Sequence, residues 1–377
     1  MNGIAIKKVQ STQDLRRFIR VPWRVYAGDP NWVPPLIADI KDRLNRRTHP
    51  FFEHGEADYF LALRDGEPVG RVAAVIDRHS NDSHDERTAF FGFFESPDDP
   101  ETAGALLGTA SAWGVERGMD TLRGPANLSM NVECGFLLEG YDRPPVVMMP
   151  YNPAYYHRLL EAQDFVKAKD LYAFRKGRAR TLSASTEEIL VRLRASGRFS
   201  FRSPRKAALR SEAHRIAEVY NEGWRNNWGF VPWTYAEMDH LVRSLVRLAD
   251  LDLVLFAEEE GRTAGFAFAL PDYNQVLARM NGRLLPFGIF RFMARRRAIT
   301  GVRALVFGVK PEYMHSGLAY LLYDEFEKAI IRKGYEWCEL SWQLEDNHAI
   351  NRFAASIGAA LYKKYRIYEK RIGSGGA

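Results

Sequence analysis

The segment GVKPEYMHSGLAYLLYDEF, which begins at Gly308, has the make-up of an anion-binding turn. An apolar and β-branched run, 302–309, leads into it, and a helical pattern follows it. A strand, a small-residue loop and a helix N-terminus commonly bind phosphate through backbone N–H groups. We therefore expect the backbone of residues 315–319 to bind a phosphorylated ligand, although Met314 occupies a position where such a loop often carries a cation.

Two carboxylates near this turn are candidate general bases. Asp272 ends a predicted strand and is followed by Tyr273, a candidate for contact with the substrate. Glu339 lies in the predicted strand CELSWQL, where the alternation of side chains places Ser341 on the same face. A carboxylate in such a position can accept a proton from a nucleophile. The alternatives are that Asp272 is only a turn residue and that Glu339 lies on an exposed sheet edge.

A second polar cluster lies in the first half of the chain, in the segment GPANLSMNVECGFLLEGYDRPPVVMMPYNPAYY. Among its methionines and tyrosines are Asn127, Asn131, Glu133 and Asn152. In one interpretation these side chains line a substrate pocket. In the other they satisfy the backbone of a loop, which is a common use of asparagine.

The composition is that of a globular protein. At 377 residues, with 46% apolar and 27% charged residues, the chain is long enough for two domains. Its two cysteines, Cys134 and Cys338, exclude a disulfide framework and lack zinc-ligand spacing, so no metal is expected. No apolar run has the length of an export signal or of a membrane span. We therefore expect a cytoplasmic protein.

The chain repeats one order of predicted elements. The segments YFLALRDGEPVGRVAAVID and DLVLFAEEEGRTAGFAFALPD both read as strand, turn and strand, with Gly70 and Gly265 in equivalent positions. Each half has the predicted order β-α-α-β-β-β-α-β-α-β. A tandem duplication explains this order as well as the matches, whereas coincidence explains only the matches. We predict one domain of residues 1–180 and a second of residues 181–377.

Each half resembles the GNAT superfamily of acyl-CoA N-acyltransferases. The resemblance rests on V-x-P-x-x-x-x-x-G-L-A, which begins at Val309, and N-x-A-I, which begins at Asn347. It covers most of 198–370 and, more faintly, 4–175. It implies a mixed α/β fold whose central strands splay apart around an acyl thioester. The phrases GPANLSMNVECGFLLEGYD and MMPYNPAYYHRLLEAQDFVKAKDLYAF further resemble bacterial tandem-GNAT proteins, some of them linked to long-chain N-acylation of amino lipids, including bacterial ceramide synthesis.

The resemblance implies that acyl-CoA, acetyl-CoA or an acyl carrier protein thioester binds the second half. The implied binding residues are Val309, Lys310, His315, Ser316, Gly317, Leu318, Ala319 and Asn347. The chain departs from the family pattern at Met314, which replaces Arg or Gln, and at Phe353, which replaces the usual tyrosine acid. Tyr362, Tyr365 and Tyr368 are candidate replacements for that acid.

The first half is predicted to lack the phosphate site. Its equivalent segment, FFGFFESPDDPETAGALL, places Asp98, Asp99 and Glu101 where the pyrophosphate would lie. Like charges repel, so only the second half is expected to bind the thioester.

The positive charge of the chain is concentrated in one segment. Residues 273–303 contain seven arginines and no acidic residue, while the net charge of the whole chain is +6. The remainder is nearly neutral, which argues against nucleic-acid binding. The segment 279–303 is predicted to contact a membrane surface at the inner face, to cover the acyl chain, to contact an acyl carrier protein, or to pack on its own domain with a solvated basic edge.

These features predict an acyl-CoA-dependent N-acyltransferase. An acyl group, acetyl or long-chain, is transferred from the thioester to an amine, with a lipid-derived amine as the more specific expectation. The alternative is a non-catalytic acyl-CoA or lipid-binding protein in which both acyl sites have decayed. Met314 and Phe353 favour the alternative, whereas Gly317, Leu318 and Asn347 favour the enzyme.

Overall fold

The computed structural model describes residues 3–179, 182–245, 249–284 and 288–373. The chain forms two compact units. The N-terminal unit consists of Met1–Leu171, Leu277–Phe292 and Lys363–Ala377, and the C-terminal unit consists of Tyr172–Val276 and Met293–Tyr362. The predicted domain boundary between residues 180 and 181 lies outside the described residues, so that boundary stays a prediction.

Thirteen strands are present in the described ranges. They are β1 (Ala5–Lys8), β2 (Gly55–Arg64), β3 (Glu67–Asp77), β4 (Thr88–Glu95), β5 (Thr121–Gly124), β6 (Phe136–Glu139), β7 (Val166–Gly177), β8 (Ser200–Arg202), β9 (Val254–Glu259), β10 (Arg262–Pro271), β11 (Gly301–Val309), β12 (Trp337–Leu344) and β13 (Ala360–Arg371). Both parallel and antiparallel pairs occur, so the predicted mixed α/β fold is confirmed.

The helices alternate with these strands. They are α1 (Thr12–Arg20), α2 (Pro22–Val25), α3 (Ile37–Arg43), α4 (Arg78–His84), α5 (Pro100–Val115), α6 (Tyr156–Glu161), α7 (Ala184–Ala195), α8 (Leu209–Gly223), α9 (Tyr235–Leu245), α10 (Asn274–Leu277), α11 (Gly288–Arg295), α12 (Leu318–Arg332) and α13 (His348–Ser356). Short 3-10 turns lie at Pro50–Glu53, Lys206–Ala208, Leu251–Leu253, Arg296–Ala298 and Pro311–Tyr313. No helix in the described ranges is long and apolar enough to cross a membrane.

The N-terminal unit is built around a sheet of order β1-β2-β3-β4-β5-β13. The β2–β3 hairpin turns at Asp65 and Gly66, which both have positive φ, as a tight hairpin turn requires. Helix α5 places Leu106, Ala110 and Trp113 in a buried cluster with strand residues. Burying such side chains is the main favourable contribution to folding, at about 1.5–3 kcal/mol for each large apolar residue.

The C-terminal unit has the strand order β7-β12-β11-β10-β9-β8. Its main helix, α12, buries Leu318, Leu322 and Phe326 against apolar strand residues, as the helical pattern of the sequence predicts. In a separate apolar cluster, Val219 of α8 packs with Phe256 and Phe266.

In each unit, two parallel strands pair briefly and then separate. Strand β11 pairs with β12 only over Gly301–Ala304. Strand β11 has a bulge at this point, because Ala269 pairs with Ala304 while Phe268 pairs with Val306. In the N-terminal unit, β4 pairs with β5 only over 88–90, and β4 carries its own bulge further along. The predicted splay of the central strands is therefore present in both units.

The loop after β5 lies directly on β4, and Gly92 makes this contact possible. A Cβ on Gly92 would lie 2.0 Å from the carbonyl oxygen of Ala126. We expect Gly92→Ala to lower the free energy of unfolding by about 1–3 kcal/mol, the usual range for overpacking. Urea denaturation followed by circular dichroism measures this change.

The matched control is Gly108→Ala on the exposed face of α5, where a Cβ would meet nothing within 4 Å. This change is expected to be neutral or to stabilise by up to about 1 kcal/mol, since alanine is the better helix former. Equal stability of the two variants would contradict the close approach at Gly92.

Candidate functional site

The turn that begins at Gly308 forms an uncapped helix N-terminus. Helix α12 begins after Gly317, which has φ of +79° and supplies no side-chain cap. Within the described ranges, the N–H groups of His315, Gly317 and Ala319 have no hydrogen-bond partner. Ser316 accepts a hydrogen bond from the N–H of Leu318 at 3.2 Å. Free N–H groups at the positive end of a helix dipole suit a phosphate group.

Among the described residues, Lys310 and Arg194, two cationic side chains beside this turn, are paired with carboxylates. Met314 is 60% exposed and uncharged. Lys310 pairs with Glu222 at 3.0 Å, and Arg194 of α7 pairs with Asp324 of α12. Any anion at this turn would therefore be bound mainly by the backbone.

The equivalent helix of the N-terminal unit is capped by its own carboxylate. Asp99 accepts hydrogen bonds from the N–H groups of Glu101 at 3.3 Å and Thr102 at 3.1 Å. Asp99 also pairs with Arg64 at 2.8 Å. A protein carboxylate thus occupies the position that an anion would take, which supports the prediction that this copy lacks a phosphate site.

Glu339 lies at the point where β11 and β12 separate. Its side chain is fully buried and accepts hydrogen bonds from the hydroxyls of Ser341 and Tyr362. Arg303, its partner in the strand register, donates to the Ser341 hydroxyl at 3.0 Å. The edge interpretation of Glu339 is wrong, because β12 lies between β7 and β11. Of the three tyrosines considered as the acid, Tyr362 is the one that contacts Glu339.

Aromatic side chains flank the separated part of β11. Phe353 of α13 stacks on Phe307 of β11, with ring centroids 5.6 Å apart. Tyr320 and Tyr323 of α12 also contact Phe353, with ring centroids 5.0 and 5.7 Å from that of Phe353. Phe353 therefore contributes apolar surface where the family has a tyrosine.

The structure does not support Asp272 as a base. Its N–H donates to the carbonyl of Gly301, and its carboxylate accepts from Gln275 at 3.2 Å. Gly301 begins β11 and the pairing of β11 with β12 lasts until Ala304, so Asp272 is a turn residue at the paired end of the strand and does not lie at the fork. The neighbouring Tyr273 is only 7% exposed, which does not suit a substrate contact, and burial raises the pKa of its hydroxyl to about 12.

Several predicted thioester contacts have structural partners instead. The N–H of Lys310 donates to the carbonyl of Ala264 at 2.8 Å, and Val309 pairs with Gly265 in the register of β10 and β11, so the backbone of both residues is bound within the sheet. Gly308 is required because a Cβ would lie 2.1 Å from the ring of Trp224.

Asn347 and His315 are two further residues that were predicted to bind the thioester. Asn347 caps α13 by accepting from the N–H of Ile350 at 3.3 Å. A cap of this kind stabilises a helix by about 1 kcal/mol, so Asn347 is explained by structure alone. The side chain of His315 is exposed, and its backbone belongs to the uncapped turn.

The polar cluster of the first half lines a pocket in the N-terminal unit. The pocket is open to solvent and, with its mouth included, comprises about 400 Å³ of space, and Asn127, Glu133 and Asn152 lie in its wall. Asn131 is not among the residues that line it. The prediction thus located a pocket but included one residue outside its wall.

The amide groups in this wall mainly hold the loop in place. Asn127 accepts from the N–H of Phe93 at 2.8 Å and donates to Glu133 at 2.9 Å. Asn152 accepts from the N–H of Leu137 at 2.6 Å and donates to its carbonyl at 3.3 Å. For the two asparagines, the loop-satisfying interpretation fits the observed contacts.

Two charged residues of this pocket were missed from the sequence. Arg71 of β3 and Glu95 of β4 face each other in the strand register, with 3.3 Å between the guanidinium and the carboxylate. Tyr156 donates to the other oxygen of Glu95 at 2.7 Å. Burial raises the pKa of the Glu95 carboxyl, and the charge of Arg71 opposes this shift. Arg71 interrupts the apolar run of β3 and Glu95 ends that of β4, so a charged residue within or at the end of an apolar strand was the available signal.

The whole chain was compared with known proteins. No protein-family model matches it. It is 35% identical over 376 residues to the bacterial ceramide synthase of Caulobacter vibrioides, and the alignment covers 98% of each chain. It is 33% identical over 375 residues to the protein YghO of Escherichia coli, covering 97% of this chain and 95% of the relative.

Solved structures agree on the fold. A tandem GNAT protein from the clavulanic acid biosynthesis pathway aligns with a TM-score of 0.57 at 12% identity, over 99% of this chain and 100% of that one. A GCN5-related N-acetyltransferase from Sphaerobacter thermophilus aligns with a TM-score of 0.53 at 13% identity, over 98% and 96% of the two chains. At these identities the comparison establishes the tandem GNAT fold alone.

Cys338 precedes Glu339 on β12, so the reactivity of its thiol measures how well β12 is buried from solvent. Burial raises the pKa of its thiol to about 12. Because the folded pKa lies above the unfolded value of about 8.5, the thiol contributes stability that is complete below pH 8.5 and is lost as the pH rises towards 12. In a Cys134→Ser variant we expect no reaction with a disulfide reagent at pH 8 and full reaction in urea.

The reaction of Cys338 releases the thiol of the reagent, which is followed by absorbance. An unfolded peptide with one cysteine is the control for the activity of the reagent. Reaction of the native variant at the rate of that peptide would contradict the buried position of β12.

Proposed function

Since the chain belongs to the family of the bacterial ceramide synthase and has the tandem GNAT fold, we propose that it is an N-acyltransferase that uses an acyl-CoA thioester. A ceramide is an amide of a long-chain amino alcohol. The relative's name therefore supports a lipid amine as the acceptor and a long acyl chain as the group transferred.

The observation that carries the proposal is the Glu339–Tyr362 contact where β11 and β12 separate. In this fold the splayed strands receive the thioester. A carboxylate that shares a hydrogen bond with a phenol can accept a proton and return it. Glu339 is fully buried while Tyr362 is half-buried, so the tyrosine is the member of the pair that a substrate can reach.

The backbone of the α12 turn fits the diphosphate of CoA. Its N-terminus carries no side-chain cap, and the N–H groups of His315, Gly317 and Ala319 would hold the phosphate oxygens. Phe307, Phe353 and Tyr320 supply apolar surface that suits a long acyl chain better than acetyl.

The residues support a balanced transfer. The amine nitrogen attacks the thioester carbonyl carbon, so a C–N bond forms and the C–S bond breaks. Tyr362 takes the proton lost by the amine while its own proton passes to Glu339. The reverse passage then delivers one proton to the departing sulfur, and both side chains return to their starting states. Arg303 keeps Ser341, and through it Glu339, in place.

Removing this proton path should slow transfer without weakening donor binding. We expect Glu339→Gln and Tyr362→Phe to lower kcat by about 10²–10⁴-fold, the usual contribution of acid–base catalysis. The assay follows thiol release from palmitoyl-CoA in the presence of a long-chain 2-amino alcohol. Asp272→Asn is the matched control, because the structure places Asp272 in a turn away from the fork.

Wild-type turnover by Glu339→Gln would refute the catalytic role of that residue. Calorimetric titration of palmitoyl-CoA separates the proposal from the non-catalytic alternative. Binding with no transfer to any amine would establish a binding protein, whereas no binding by the folded chain would remove both functions.

The arginine-rich segment offers a surface for lipid substrates. On α11, Phe290 is 72% exposed and Met293 is 48% exposed, one helical turn apart. Arg295, Arg296 and Arg297 follow directly. We propose that this surface contacts an anionic membrane, because apolar side chains beside arginines match an acyl and phosphate interface. Leu285, Pro286 and Phe287, which belong to the predicted segment, lie outside the described residues.

Flotation with liposomes tests this contact. Replacing the three arginines with alanine should weaken binding to anionic vesicles by about 100-fold, at about 1 kcal/mol for each arginine near the surface. Arg47→Ala, at an exposed arginine outside the segment, is the control and should bind normally. Unchanged flotation of the triple variant would refute the membrane contact and leave the acyl-chain cover and the acyl carrier protein as candidates.

A further inference from the structure

A second arginine-rich segment lies beside the one at residues 273–303. Residues 15–28 contain four arginines and no acidic residue. The fold joins the two segments at Trp23 of α2, whose indole N–H donates to the side chain of Asn281 at 2.5 Å. Both residues belong to the N-terminal unit. Two stretches of positive charge that are far apart in the sequence therefore meet in this unit.

The turn at residues 281–283 is held closely against Trp23. Gly282 has φ of +73°, and a Cβ on it would lie 2.7 Å from the Trp23 ring and 2.7 Å from the carbonyl oxygen of Pro35. The carbonyl of Gly282 accepts a hydrogen bond from the N–H of Ile37 at 3.0 Å. These contacts fix the backbone at Gly282, so Arg283 extends from a defined position.

Arg20 of α1 and Arg283 bring two positive charges together at this turn. The guanidinium of Arg20 lies over the Trp23 ring, 4.6 Å from its centroid. Burial and the nearby charge of Arg283 lower the pKa of Arg20. Among the residues that the structure describes, neither arginine has a carboxylate within 4.0 Å. Two like charges held close together repel each other, and an anion bound by both would remove this repulsion.

The two arginines lie where helix α11 begins. The carbonyl oxygen of Arg283 is 2.6 Å from the position of a Cβ on Gly288, the first residue of α11. Phe290, two residues further on, is 72% exposed. Trp32 packs edge-on against Trp23, with ring centroids 5.3 Å apart, and both indoles are half-buried. Tryptophan and exposed apolar side chains beside arginines are typical of surfaces that meet lipid head groups.

Two guanidiniums match the charge of one phosphate monoester. Such a group carries about −1.5 to −2 charges at pH 7 and has three oxygens that accept hydrogen bonds. A phosphodiester carries a single negative charge. Each guanidinium can donate two parallel hydrogen bonds to a phosphate. A monoester can therefore neutralise both arginines at once, whereas a diester neutralises one of them.

We propose that Arg20, Trp23 and Arg283 bind the phosphate monoester head group of a membrane lipid. The two guanidiniums hold the phosphate oxygens, and Phe290 lies among the acyl chains. The site refines the membrane contact proposed for α11 and rests on that part of the proposed function. It does not depend on the acyl-transfer chemistry.

Flotation with two sets of vesicles tests this site. One set contains phosphatidylcholine with phosphatidate, and the other contains phosphatidylcholine with enough phosphatidylglycerol to give the same surface potential. We expect the native full chain to bind the phosphatidate vesicles at least about 10-fold more tightly, which corresponds to one added charge-assisted hydrogen bond. Equal binding to the two sets would overturn the proposal.

Lysine variants separate a specific site from general positive charge. Arg20→Lys and Arg283→Lys keep the charge but lose the paired hydrogen bonds of a guanidinium. Each should weaken binding to phosphatidate vesicles by about 10-fold and leave binding to phosphatidylglycerol vesicles unchanged. Arg47→Lys, at an exposed arginine outside both segments, is the matched control and should keep the native preference. Because Arg283 is exposed, its variant should fold, and an unchanged preference in Arg283→Lys would refute the site.

A soluble phosphate distinguishes a lipid ligand from a free one. Glycerol 3-phosphate has the same monoester but no acyl chains, so it lacks the apolar contact with Phe290. At a concentration equal to that of the accessible phosphatidate, it should leave the chain bound to the vesicles. Displacement of the chain would assign the site to a soluble phosphate and refute the lipid ligand.

The proposals fail separately. Binding to both sets of vesicles without a preference would refute this site and keep the general membrane contact of α11. Absence of binding to either set would refute the site and the membrane contact together, whereas thiol release from palmitoyl-CoA would still test the enzyme. A preference for phosphatidate in a chain that transfers no palmitoyl group would keep the site and refute the enzyme.

Discussion

The fold depends on a parallel strand pair that stops after four residues. Beyond Ala304 the backbone groups of β11 no longer face β12, because the bulge at Leu305 shifts the strand register. Buried backbone groups need partners, so an opening of this kind survives only where side chains or a ligand satisfy it. Glu339, Ser341 and Tyr362 occupy the start of the opening with a satisfied polar network. The candidate chemistry lies there because the separation of β11 and β12 leaves room for these polar side chains.

The duplication shows how one such fork can be adapted in two ways. In the C-terminal unit the helix that follows the fork begins at Gly317 and leaves its N–H groups to a ligand, whereas in the N-terminal unit Asp99 takes them. A single carboxylate thus decides whether a helix N-terminus accepts an anion. Once the phosphate site is lost, the N-terminal fork is free to contain the Arg71–Glu95 pair and a polar pocket. The two units are alike in topology, and they differ in whether a carboxylate occupies the N-terminus of the helix that follows the fork.

Sequence reasoning succeeded where the signal is local. The strand, the turn at Gly317 and the helix after it follow from hydrophobic period and small residues, and Glu339 with Ser341 follows from alternation along one strand. It failed where the partner is remote in the chain. The sequence predicts Asp272 near the anion-binding turn, but the antiparallel register of β10 brings it to Gly301 instead. Arg71 and Glu95 became a pair only through the register of β3 and β4, which no single segment encodes.

The buried ion pair and the buried carboxylate argue for function more strongly than the turn does. A capped or uncapped turn can arise from folding alone, since Ser316 and Asn347 each satisfy local backbone. A guanidinium with an unsatisfied Nε lowers stability, and an apolar pair of the same volume would often fold as well or better. Stability therefore does not explain Arg71, and its unsatisfied Nε is a candidate contact for a ligand. Glu339 is likewise a buried carboxylate in the middle of a sheet, bound by Ser341 and Tyr362, and a buried ionisable group with specific partners marks a candidate functional site.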